Sequence, residues 1–318
     1  MQEQIINFLR KSGEYISGEE ISRVLNISRA GIWKYMQELR GEGYDIVAVP
    51  HLGYRLVSSP DKLLAREIAF GLGTQVLGKK IFAHDDISST MDEAFALGMK
   101  GAEEGTLVCA EHQTKGRGRL GRSWVSPKGK GIYMSLVLRP QLNPQEVPKL
   151  TLLTAVAVAE AIYKIAGLKI AIKWPNDLLI GSQKLGGILT ELNAEVDRIK
   201  FVVVGIGLNV NTTASHLPEE ATSLRIQANK HFSRVEVLKE ILRTLEKWYL
   251  LVGKEGFDEV LKKWREYAVT LGKRVRITDP NGFIEGEAFG LADDGGLLIR
   301  KDSGIVIKKM SGDVVQVR

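Results

Sequence analysis

The chain has 318 residues, 44% hydrophobic and 26% charged, the balance of a soluble globular protein of two or three domains. No run approaches the roughly 18 uninterrupted apolar residues of a membrane span, and "MQEQIINFLRKSGEY" lacks a signal peptide's layout, so no membrane association and a cytoplasmic location are expected. Its 44 lysines and arginines against 38 acids suit nucleic-acid or phosphate partners, while the single cysteine, Cys109 in "TLVCAE", excludes an intrachain disulfide and reads as a core thiol.

The first sixty residues read as a compact unit. Ile5, Ile6, Phe8 and Leu9 share one side of a short helix ending near Gly13. Ser17, with Glu20 three residues on, forms a capping box for a second helix that carries Ile21, Val24 and Leu25 inward. Asn26 and Ile27 make a turn. Ser28 caps a third helix whose Ile32, Met36 and Leu39 face the core, leaving Arg29, Ala30, Trp33, Lys34 and Gln37 on the opposite face. "YDIVAV" and "GYRLV" then flank "PHLG" as a hairpin. This is the order of a winged helix-turn-helix, with Ser28, Arg29, Ala30, Trp33, Lys34 and Gln37 placed to meet DNA. A scaffold or protein-docking module is the blander alternative.

"VSSPDK" at 57–62 reads as a linker. Strand-like "TLVCAEH", "GIYMSLVLRP", "KIAIKWPND", "GGILTEL" and "KFVVVGIGLNV" then alternate with helical "MDEAFALGMK", "VPKLTLLTAVAVAEAIYKIA" and "SRVEVLKEILRTLEKWYLLV". The second of these helices is apolar nearly all round and should be buried against a sheet. The tail holds five short strand candidates broken by "DPNG", "ADDGG" and "KDSG", the marks of a small all-β barrel. The expected fold class is α+β, in three domains: 1–60, 61–270 and 271–318.

"QTKGRGRLGRSW", Gln113 to Trp124, matches G-x-G-x-x-G at Gly116, Gly118 and Gly121. A dinucleotide fingerprint needs a helix to follow, and "SWVSPKGKGIYMSL" offers none. What remains is a glycine loop carrying Arg117, Arg119 and Arg122, suited to fold over an anionic ligand or, equally on composition, to act as a solvated basic loop or a nucleic-acid patch. "KWPND" ends the strand "KIAI" with a lysine and an aspartate around Pro175. "QKLGGIL" offers Lys184 beside paired glycines, and "GIGLNV" puts Asn209 at a strand end.

"SST", "EHQTKGRGRLGRSW", "KWPNDL", "KLGGIL" and "GIGLNV", in this order, resemble the biotin protein ligases. The winged helix ahead of them narrows the resemblance to the bacterial form that also represses the biotin operon. The resemblance covers nearly the whole chain and implies a central ligase domain of the biotin/lipoate type and a C-terminal SH3-like barrel. It places Ser89, Thr90, Met91, Gln113, Arg117, Gly118, Arg119, Lys184 and Gly187 around biotin, and Arg119, Arg122, Trp124, Asn176, Lys184 and Asn209 on the nucleotide side. Arg117, Arg119 and Lys184 would act on carboxylate and phosphate, and Asp177 on the acceptor lysine. Met91 departs from the pattern, which commonly has an amide there; a thioether cannot replace an amide's donor and acceptor pair. Asp313 stands where a glutamate is familiar.

The resemblance implies that biotin and ATP form biotinyl-5'-AMP, with magnesium brought by ATP and no resident metal. The acceptor would be a lysine of the biotin carboxyl carrier protein of acetyl-CoA carboxylase. The loop would close over the adenylate, and the adenylate-bound chain would dimerise on operator DNA of the biotin biosynthesis genes. A lipoate-type acyl-adenylate ligase and a catalytically silent biotin sensor are the competing readings.

Overall fold

The computed structural model describes residues 1–195, 198–279 and 282–317. Contacts divide the chain into two compact units, Met1–Lys62 and Leu63–Arg318.

In the first unit the helical spacing becomes α1 (Gln2–Ser12), α2 (Gly18–Leu25) and α3 (Arg29–Gly41). Gly13 ends α1 in the left-handed region, at φ 68°. The Glu20 and Gly31 N–H groups donate to Ser17 Oγ and Ser28 Oγ, each at 3.1 Å, satisfying helix-start donors that would otherwise lack partners. Ile5, Ile6, Leu9, Ile21, Ile32, Met36 and Leu39 form the small core. Val24, expected inside, is 52% exposed. In a two-turn helix anchored by Ile21, the i+4 position stays half-buried as Leu25, while i+3 rotates past the edge of the contact. Strands β1 (Asp45–Val49) and β2 (Gly53–Ser58) pair as an antiparallel hairpin, and Ile16 and Tyr54 exchange backbone bonds that fasten the α1–α2 connection to it.

The second unit begins with α4 (Ala65–Ala69), β3 (Ile81–His84), α5 (Thr90–Met99), β4 (Thr106–Ala110) and β5 (Gly131–Leu138). It continues through α6 (Val147–Ala166), β6 (Ala171–Lys173), β7 (Asp177–Ile180), β8 (Gln183–Ala194) and β9 (Ile199–Asn209). These strands make one mixed sheet in the order β3-β4-β5-β9-β8-β7-β6, parallel only between β3 and β4. Side-chain alternation gives the sheet two apolar faces. Leu107, Cys109, Leu136, Leu138, Val202 and Val204 point to one side, where α6 packs together with α8 (Arg234–Glu255), which follows the short α7 (Leu224–Ala228). Val108, Val137, Phe201 and Val203 point to the other, against α5. As its composition required, α6 is buried along most of its length, between the sheet and the helices α8 and α9 (Asp258–Tyr267). Cys109 is fully buried, and loss of solvent pushes its thiol up to about 12.

The C-terminal strands are β10 (Lys273–Asp279), β11 (Gly282–Leu291), β12 (Leu297–Arg300), β13 (Val306–Lys309) and β14 (Asp313–Gln316). They form one all-antiparallel sheet in the order β13-β12-β11-β10-β14. Pro280 and Asn281 of the expected "DPNG" break lie outside the described residues. The inner face of this sheet, Val275, Ile277, Ala288 and Leu297, joins the apolar cluster of α6. Among the described residues no helix is long and apolar enough to cross a membrane.

One buried ion pair ties α8 to the sheet. Arg234, 2% exposed, donates to both oxygens of Glu111 at 2.7 and 3.3 Å, while Glu111 also accepts from the Leu63 N–H at 2.6 Å. Removing one partner leaves the other charge desolvated. Arg234→Ala is therefore expected to cost about 3–5 kcal/mol in urea unfolding at neutral pH; a loss below about 1 kcal/mol would show that this pair does not hold α8.

Candidate active site and nucleic-acid face

The cleft of the second unit opens on the α5 side of β8 and β9. Its floor is bare backbone because Gly187, Gly205 and Gly207 fall on the face that carries Leu189 and Val203 elsewhere along these strands. A methyl group at Gly207 would come within 2.6 Å of the Trp124 indole, and one at Gly205 within 2.5 Å of Met91 Sδ. Both side chains therefore lie directly on the sheet.

One end of the cleft is polar. Gln113 Oε1 accepts from the Thr90 N–H at 2.8 Å and from Thr90 Oγ1 at 3.0 Å. Ser135 Oγ donates to Thr90 Oγ1 at 2.9 Å, and Gln113 Nε2 donates to Ser126 Oγ at 3.1 Å. Ser89 sits behind this group, fully buried, its Oγ without a hydrogen-bond partner among the described residues; the Trp124 Nε1 is likewise buried and unpartnered among them. Buried polar atoms left unpaired cost free energy unless something else satisfies them.

The middle of the cleft is charged. "KWPND" is the turn from β6 to β7, with a cis Trp174–Pro175 bond. It sends Trp174 into the core, where its Nε1 donates to Gly295 O at 3.1 Å, and leaves Asn176 and Asp177 in the cleft. Asp177 pairs with Lys184 at 2.6 Å, and Lys184 Nζ lies 5.8 Å from the centre of the Trp124 ring. Asn176 donates to Ile188 O at 2.9 Å and accepts from Arg119 at 3.1 Å. Burial lowers the Arg119 guanidinium below its ordinary value, against the pull of Asp313 and Asp177.

The basic loop forms a tight turn, closed by Gly118 N–H to Arg122 O at 2.7 Å and Trp124 N–H to Gly116 O at 2.8 Å. Gly116 is needed for close approach, since a methyl there would meet Trp124 O at 2.4 Å. Arg117 donates to Asp92 at 2.7 Å and, through both terminal nitrogens, to Glu191. Burial opposes its charge, yet Glu191 and Asp92 hold it above its ordinary value. Arg122 pairs with Asp313 of β14.

The chain matches the biotin/lipoate A/B protein ligase family over residues 84–209, a helix-turn-helix domain over 1–55 and the biotin protein ligase C-terminal domain over 270–315. It is 44% identical to the bifunctional ligase/repressor BirA of Bacillus subtilis over 94% of both chains. It is 32% identical to the biotin–[acetyl-CoA-carboxylase] ligase of Mycobacterium tuberculosis, over 72% of this chain and 86% of that one. The solved biotin protein ligase of Aquifex aeolicus, in complex with biotin and ATP, superposes with a TM-score of 0.64 at 32% identity, covering 76% of this chain and 99% of that one. The chain belongs to the biotin protein ligase family.

Within this biotin protein ligase the cleft gathers Thr90, Met91, Gln113, Arg117, Gly118, Arg119, Arg122, Trp124, Asn176, Asp177, Lys184 and Gly187. Two expected site residues do not line it. Ser89 lies behind Thr90, and Asn209 is buried at the end of β9, where its amide donates to Thr222 O at 3.0 Å. Sequence reasoning missed Ser135 in the cleft lining, and Asp92 and Glu191, which lie outside it and accept from Arg117. Strand alternation carried a usable signal for Glu191, because residues 187, 189 and 191 share a face and Gly187 was already placed.

In the first unit, Arg29, Ala30, Trp33, Lys34 and Gln37 are exposed along one face of α3, Trp33 at 60%, and Ser28 caps its start. A groove between α3 and the hairpin is lined by Arg29, Ile32, Pro50, His51 and Tyr54. Arg29 is paired with Glu19 at 2.9 Å, both side chains largely in solvent, so the pair is weak and exchangeable for phosphate. Alanine at Arg29 and at Lys34 should weaken DNA binding and lower the slope of log affinity against log salt by about 1 each; an unchanged slope in a filter-binding titration would remove both from the DNA face.

Proposed function

We propose that the chain activates biotin with ATP as biotinyl-5'-AMP and transfers biotin to a lysine of the biotin carboxyl carrier protein of acetyl-CoA carboxylase. With the adenylate bound it dimerises and represses the biotin operon from its operator, acting in the cytoplasm. The domain divisions that suit this reading are 1–60, 61–270 and 271–318. One observation carries it: a single cleft joins a hydrogen-bonding polar end to a cationic centre with a carboxylate beside it, in a chain that begins with a helix-turn-helix.

The polar end suits a ureido ring, whose carbonyl accepts and whose two N–H groups donate; Thr90, Gln113 and Ser135 offer hydroxyl and amide groups able to do both. An apolar dithiolane could neither donate to nor accept from these groups, which disfavours lipoate. Trp124 on its glycine floor offers a flat apolar wall for the nucleotide.

The first step brings two anions together, so positioning and charge set the barrier. Biotin's carboxylate oxygen attacks the α-phosphorus, and the bond to pyrophosphate breaks. Arg119 and Lys184 are the cations in place for the charge that moves during this exchange. Magnesium, held by the nucleotide's own phosphates, would add positive charge there. In the second step the acceptor lysine must lose a proton, its unperturbed pKa being about 10.4. Its nitrogen attacks the acyl carbon, AMP leaves, and Asp177 orients the amine or takes its proton.

Asp177→Asn is expected to slow transfer to the carrier protein by about 10²–10⁴-fold in single-turnover assays. Adenylate formation should fall less, since Asp177 touches it only indirectly, through its charge beside Lys184 and Arg119. Equal losses in both half-reactions would contradict the acceptor-side role of Asp177.

A further inference from the structure

The three arginines of the loop are not equivalent. Arg119 enters the cleft wall and meets Asn176, whereas Arg117 is occupied by two carboxylates on different elements: Asp92 in the first turn of α5 and Glu191 on β8. Glu191 is the more sheltered, its side chain 25% exposed against 53% for Asp92. Two N–H groups of one guanidinium on one carboxylate give a directional contact that a lone lysine could not make. The backbone bonds inside the turn join the loop only to itself. Its tip is held to the rest of the unit by side chains: Arg117, Arg119, Arg122 on the outlying Asp313, and Trp124 on the floor.

We propose that Glu191, assisted by Asp92, is a positioning residue that holds the basic loop down over the cleft through Arg117 and thereby sets how long the activated intermediate is retained. The reference to the intermediate rests on the function proposed above; the hold on the loop does not. Glu191 lies on the strand face that continues the cleft floor, so the same alternation that bares Gly187 for the ligand delivers the anchor at the loop's edge. A carboxylate in that place opposes ligand anions unless it is neutralised, and Arg117 neutralises it only with the loop down.

The test uses the full chain with Glu191→Gln and Asp92→Asn, singly and together, alongside Arg117→Gln. Amide hydrogen exchange without ligand reads the loop itself. Exchange of the Gly118 and Trp124 N–H groups should quicken about tenfold in Glu191→Gln, with core strands unchanged. Glu191→Asp, which keeps the charge, should retain part of the protection. Adding Glu191→Gln to Arg117→Gln should bring no further increase, because the two act as one contact. In protein preloaded with biotinyl-5'-AMP, release should rise in Glu191→Gln by more than formation falls. Unchanged loop exchange, additive effects, or slower release, as expected if Glu191 merely competed with ligand for Arg117, would overturn the proposal. A chain that forms no adenylate would fail the functional reading alone, since the exchange experiment needs no ligand.

Discussion

The cleft depends on the bare backbone of β8 and β9 at Gly187, Gly205 and Gly207, because a sheet covered on both faces has no room for a ligand unless side chains are missing from one of them. Elsewhere the α5 face of these strands carries Leu189, Phe201 and Val203, and the space is filled. Where the glycines fall, Trp124 and Met91 come down onto the main chain and become the walls of a ligand-sized space. The opposite face, running on without interruption through Val202, Val204, Ile206 and Leu208 against α6 and α8, keeps the strands rigid while the α5 face is hollowed. The buried Glu111 and Arg234 pair and the three backbone N–H groups that Glu246 accepts from Gln75, Val76 and Leu77 fix α8 behind that rigid layer.

Charge is divided on the same geometric plan. A cleft that must gather anions needs cations facing it, yet loose cations would repel one another and splay the loop that carries them. The chain meets this by pairing the outer arginines, Arg117 with Asp92 and Glu191 and Arg122 with Asp313, and leaving Arg119 and Lys184 in the lining of the cleft. Lys184 in turn shares its charge with Asp177, so the groups assigned to the two half-reactions are in direct contact.

Much of this was legible in the sequence because it rests on local signals. Ser17, Ser28 and Gly13 punctuate the first three helices where their chemistry says they should, and Ile32, Met36 and Leu39 are buried by their spacing alone. The apolar helix at 147–166 had to be interior. The motifs that carry the family likeness also converge: Gln113, Trp124, Asn176, Asp177 and Lys184 come from separate segments to one cleft. What was not legible is long-range pairing. Nothing near Arg117 announces that its partners lie 25 and 74 residues away, or that Asp313 waits for Arg122 across 191 residues. That Gly116 in particular serves close approach to the Trp124 carbonyl is visible only once the turn is folded. Val24 failed for a smaller reason, the narrow contact that a two-turn helix can make.

The central claim is that this cleft activates biotin's carboxylate with ATP and keeps the product. Mass spectrometry of the protein after incubation with magnesium ATP and either biotin or lipoate, with no acceptor present, tests it most directly. Retained biotinyl-5'-AMP, with no lipoyl counterpart, is the result the account predicts. Lipoyl-5'-AMP would reassign the polar end of the cleft, and biotin bound but never activated would leave a sensor in place of an enzyme.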